Sequence, residues 1–75
     1  MKLTPISSTA IVSLLNYFGY VKVRQRGSHV VTVNGNGKII VVPVHSKKIG
    51  IGLLRAIIRE LGITREAYSE ALEKL

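Results

Sequence analysis

Apolar residues recur at Ile11, Leu14, Leu15 and Phe18, a spacing that places them on one face of a helix. Ser7 or Ser8 stands where an N-cap belongs, and Gly19 follows the stripe as a stop. The period then drops to two. Tyr20 to Arg26 and His29 to Val33 alternate as strands, with Gly27-Ser28 between them as a two-residue type II′ turn. Asn34-Gly35-Asn36-Gly37 marks a second turn, and Lys38 to Val42 a third strand that Pro43 stops. Val44 to Lys48 reads as a polar connector, and Ile49-Gly50-Ile51-Gly52 leads into a helix with Leu53, Leu54, Ile57, Ile58 and Leu61 as its stripe. Gly62 ends that helix, and Thr64 caps a third with Tyr68, Ala71, Leu72 and Leu75 on one face. Residues 1–6 read as an extended lead-in. The order α-β-β-β-α-α predicts an α+β fold, a three-stranded antiparallel sheet with its helices on one face. Residues 1–75 read as one domain, without repeat or linker.

The hairpin sets the expected register. A two-residue loop pairs Arg26 with His29. If Val33 faces Lys38 across the second turn, one face of the sheet carries Val21, Val23, Gln25, Val30, Thr32, Ile39 and Val41 and packs on the helices. The other carries Lys22, Arg24, Arg26, His29, Val31, Val33, Lys38, Ile40 and Val42 and is the working face. The side-chain period is two, so a bulge or a slip of one residue exchanges faces.

Charge adds a partner to this picture. The net charge is +7, and residues 1–59 carry nine Lys/Arg and no Asp or Glu. A body without carboxylates has a positive potential that favours a polyanion such as nucleic acid. The same absence argues against magnesium-dependent phosphodiester chemistry, which needs clustered oxygen ligands, and against paired-carboxylate chemistry. There is no cysteine, so disulfides and thiolate zinc sites are excluded, and two histidines are too few for a metal site. The expectation is no metal and no cofactor. No apolar h-region follows Met1, and the longest apolar run falls far short of the ~20 residues that span a bilayer. A cytoplasmic location without membrane association is expected.

The candidate chemistry centres on His29. Imidazole titrates near neutral pH, and RNA carries its own nucleophile in the 2′-OH. A histidine beside a row of cations can move a proton while Arg24, Arg26 and Lys22 hold and polarise the phosphate. Gly27 permits the turn and close approach by a ligand. Ser28 lacks a carboxylate-oriented base and reads as a turn residue or a donor to phosphate. Lys47 and Lys48 precede the second helix, where lysines and backbone N–H groups together grip phosphates. His45 reads as structural, and Tyr17 and Tyr20 as residues of the core edge. Two readings share this face: a ribonuclease, and a non-catalytic RNA-binding module in which His29 is one more contact. A third is an adaptor that recruits protein through Tyr68, Leu72 and Leu75.

Taken in order, Phe18-Gly19-Tyr20, Arg24-Gln25-Arg26-Gly27-Ser28-His29, Val42-Pro43-Val44-His45 and Gly52-Leu53-Leu54-Arg55-Ala56-Ile57-Ile58 resemble the HicA toxins of bacterial and archaeal toxin–antitoxin pairs, over roughly residues 3–65. The resemblance implies a double-stranded-RNA-binding-domain-like fold, cleavage of messenger RNA without a required metal, and neutralisation by a HicB-type antitoxin. It also maps the family's functional histidine onto His29, with Gly27 and Ser28 completing the motif. The chain departs from the family at Gly52-Leu53-Leu54, where members often carry Gly-Thr-Leu, and so loses a hydroxyl near the helix start.

Overall fold

The computed structural model describes residues 2–44 and 48–75. In chain order the elements are β1 (Ile6–Ser7), α1 (Ser8–Tyr17), β2 (Val21–Arg26), β3 (His29–Val33), β4 (Ile39–Pro43), β5 (Lys48–Ile49), α2 (Ile51–Leu61) and α3 (Arg65–Glu73). The α+β layout expected from the periodicity is present, with β2-β3-β4 as an antiparallel sheet. The lead-in and the connector do more than expected. They meet as a second, two-stranded antiparallel sheet in which Ile6 pairs with Ile49 and Ser7 with Lys48.

Local chemistry fixes the helix ends. The Ser7 hydroxyl accepts from the Ala10 N–H at 3.0 Å, and the Thr64 hydroxyl accepts from the Ala67 N–H at 3.0 Å, each satisfying a first-turn donor. α2 begins at Gly50 without a side-chain cap and stops at Gly62, whose φ of +68° lets its N–H reach the carbonyls of Ile58 and Arg59. Its stripe is narrower than the sequence implies: Leu54, Ile57 and Ile58 are buried, whereas Leu53 is substantially exposed.

The core joins all the layers. Ile11, Leu14 and Leu15 of α1 meet Ile40 and Val42 of the sheet, Leu54 and Ile57 of α2, and Tyr68 and Ala71 of α3. α1 is the hub, packing against β1, β2, β4, β5 and α3. Thr32 is fully buried among these residues, its hydroxyl donating to the Ile40 carbonyl at 2.8 Å.

Burial pushes the Tyr68 phenol above its ordinary range. The folded state therefore keeps that proton at a pH where the unfolded chain has begun to release it. The stability that Tyr68 contributes is full below about pH 10 and is lost as pH rises beyond it. Urea midpoints across the alkaline range should fall for the wild type and fall less for Tyr68→Phe. Equal falls would trace the effect to other groups.

Candidate nucleic-acid interface

The hairpin tip forms as its sequence dictates. Gly27 has φ +58° while Ser28, like every non-glycine residue among those described, keeps a negative φ, the combination that a type II′ turn requires. Arg26 pairs with His29, and on the far side His29 pairs with Pro43. The Gln25 amide donates to the Gly27 carbonyl at 3.2 Å, and the Val44 N–H donates to the Ser28 carbonyl at 2.6 Å. Both strands and the chain beyond β4 thus hold the turn. Sequence reasoning missed this clamp, because neither the Gln25 side-chain bond nor the isolated Val44 backbone bond leaves a periodic signal.

Two irregularities redistribute the faces. The first is a bulge in β2: Lys22 pairs with Thr32 and Arg24 with Val31, leaving Val23 as the extra residue. The second is a loop of three residues, Gly35-Asn36-Gly37, between β3 and β4. The Asn34 side-chain oxygen accepts from the N–H groups of Asn36 and Lys38, and Gly37 takes φ +83°. Val33 therefore pairs with Ile39, one residue on from the expected Lys38.

The expected faces are corrected accordingly. Val30, Thr32, Ile40 and Val42 turn to the helices and are buried, while Ile39 and Val41 are 59% and 43% exposed. On β2, Val21 and Val23 lie outside at 57% and 55% exposure. Lys22 does not share a face with Arg24 and Arg26: it turns towards α1. Lys38, placed on the working face by the sequence, instead donates to the Glu60 carbonyl and lies 3.3 Å from the Glu60 carboxylate.

The outer face that results is graded. Its first row is Arg26, His29 and Pro43, its second Arg24, Val31 and Val41, and its third Val21, Val33 and Ile39. Cations and imidazole occupy the end at the turn, and aliphatics the other end. Arg24, Arg26 and His29 are exposed, and neither arginine pairs with a carboxylate among the described residues. An exposed imidazole flanked across the strand by an unneutralised guanidinium can both bind a phosphodiester and exchange a proton with it.

The other predicted residues gather elsewhere. Lys22 and Gln25 line an open groove of about 260 Å³ together with Val12 and Ser13 of α1, Val30 and Val44. The Lys22 ammonium lies 3.4 Å from the Gln25 side-chain oxygen, which accepts from it. Lys48 is exposed opposite Ser7, the N-cap of α1. Lys47 and His45 lie outside the described residues. The predicted set is thus split in two around β2: Arg24, Arg26 and His29 on the outer face, Lys22 and Lys48 on the α1 side.

A family sequence model described as the HicA toxin of bacterial toxin–antitoxin systems matches residues 8–63. No curated protein matches the chain. Among the described residues no helix is long and apolar enough to cross a membrane.

Proposed function

We propose, from the premise that this chain belongs to the HicA toxin family, that it is a ribonuclease acting on messenger RNA, with His29 as general acid or base. The toxin role follows from the family, and so does an antitoxin partner. The observation that carries the reading is the cross-strand pair Arg26–His29 at the open end of the sheet, with Arg24 in the next row.

In this reading RNA lies over the turn end of the outer face. Arg24 and Arg26 draw the scissile phosphate in and offset charge as it builds on the phosphorane oxygens. The 2′-oxygen attacks phosphorus and loses its proton, and the 5′-oxygen leaves with one. His29 handles one of these transfers and solvent the other, giving a 2′,3′-cyclic phosphate and a 5′-hydroxyl. Gly27 lets the backbone come close, and Ser28 shapes the turn or donates to phosphate. Lys22, Lys47 and Lys48 contact RNA beyond the scissile bond. The chemistry needs neither metal nor cofactor, since the sequence up to Arg59 contains no carboxylate to hold a divalent ion. The domain acts as one unit over residues 1–75 in the cytoplasm. A HicB-type antitoxin neutralises it by covering the cationic face, and complementary charge speeds that association.

The test is cleavage of end-labelled single-stranded RNA in EDTA. Cutting with cyclic-phosphate ends is expected, and activity that returns only with added magnesium would sink the metal-free mechanism. Binding of a non-cleavable 2′-O-methyl RNA at several salt concentrations checks the arginines. Each lost phosphate contact reduces the log–log salt slope by about 0.7 on single strands, so Arg24→Ala with Arg26→Ala should flatten it by about 1.4. An unchanged slope would place RNA on another surface.

A further inference from the structure

We propose that the groove between α1 and β2 is a nucleotide subsite, taking one unpaired nucleotide of the RNA strand beside the bond presented to His29. This rests on the ribonuclease reading and adds a second face to it.

The bulge is the first reason. Without it, β2 would alternate regularly, Lys22 would stand in the row of Arg24 and Arg26, and Val21 and Val23 would turn towards the helices. The bulge at Val23 instead leaves both valines in solvent and aims Lys22 at the groove. Leaving apolar surface exposed opposes folding, and bulges recur where a side chain is re-aimed for use.

The lining is the second. The lining combines Val12, Val30 and Val44, apolar surface suited to the face of a base, with Ser13 and Gln25, whose hydroxyl and amide are of the kind that pairs with the donors and acceptors of base edges. At about 260 Å³ the groove suits a single nucleoside and not a duplex.

Charge and access complete the argument. Lys22 supplies a cation on the β2 wall. The β1–β5 pairing sets Lys48 opposite Ser7, next in sequence to Ser8, which also lines the groove. No Asp or Glu is among the lining residues. β2 is an edge strand with all six residues exposed, and Arg26 on the outer face is followed in the opposite direction by Gln25 on the inner. An RNA backbone can therefore pass round this edge, with one phosphate on Arg26 and a neighbouring nucleotide in the groove.

The experiment follows backbone amide shifts of the wild-type chain by NMR during titration with adenosine, cytidine, guanosine and uridine 5′-monophosphates, and separately with inorganic phosphate. At least one nucleotide should move the amides of Ser13, Lys22 and Gln25 more strongly than phosphate does. Lys22→Ala should weaken that nucleotide about tenfold, as expected for one lost charge-assisted contact. Ser13→Tyr, which fills the groove from a half-buried position on α1, should abolish these shifts while the thermal transition shows a folded domain. Shifts confined to Arg24, Arg26 and His29 would overturn the subsite, as would equal responses to phosphate and nucleotide. RNA cleavage separates the two ideas. A chain that cuts no RNA but shows the groove shifts loses the ribonuclease reading and keeps the subsite. A chain that cuts RNA with the same KM before and after Ser13→Tyr keeps the first and loses the second.

Discussion

His29→Ala should retain RNA affinity within a few-fold and lose cleavage by about 10²–10⁴, the range that one general acid or base supplies. The two effects separate because affinity for RNA comes mainly from cations on phosphates, and Arg24 and Arg26 remain in place. The substitution touches no core contact, since His29 is exposed at the end of β3. The thermal transition should therefore stay near that of the wild type, and binding to 2′-O-methyl RNA should keep its salt slope. Matched binding with cleavage lost assigns the proton transfer to His29. Equal cleavage by both proteins would remove His29 from the mechanism. Binding by both without cleavage would favour the non-catalytic RNA-binding module, which uses the same arginines.

Much of this chain was legible because its local signals agree with one another. Ser7, Thr64, Gly19 and Gly62 punctuate the helices where the periodicity starts and stops, and Gly27 with Ser28 determines both the turn type and the Arg26–His29 pair. The faces of the sheet were harder. Face assignment is a parity, and each irregularity inverts it. One inversion had a readable cause: Asn34, with a side chain that caps its own loop, and Gly37, placed for a left-handed turn, together specify three loop residues. The other had none. Val21-Lys22-Val23 alternates well, and only the packed sheet shows that Val23 is the residue left over.

That parity changes the reading of the site more than of the fold. Five cationic and imidazole groups expected on one face become three on the outer face, one, Lys22, in the groove, and one, Lys38, paired with Glu60. The exposed Val21, Ile39 and Val41 take up the rest of the outer face. The resulting surface pairs an electrostatic end with an apolar end. Salt therefore weakens contacts at the Arg26–His29 row and leaves those at the Val21–Val33–Ile39 row largely intact. A protein partner that covers the whole face gains from both ends, whereas RNA gains chiefly from the first. On these grounds antitoxin binding should survive salt concentrations that release RNA.

The largest effect on stability is expected far from this surface, at Leu14. Its side chain is fully buried at the centre of α1, the helix that touches the strands on one side and α3 on the other. Leu14→Ala removes that contact and leaves a cavity that the neighbours fill only in part, costing about 2–5 kcal/mol. A domain of this length has about 4–11 kcal/mol in total at 0.05–0.15 kcal/mol per residue. The melting temperature should accordingly drop by about 8–40 °C, since each kcal/mol shifts a domain of this size by about 4–8 °C. Cleavage below the transition should persist, because the Arg26–His29 pair is set by the hairpin and its clamp. Loss of activity with the fold intact would mean that α1 positions the reacting groups directly. A melting temperature within a few degrees of the wild type would instead show that α1 is not the hub of the core.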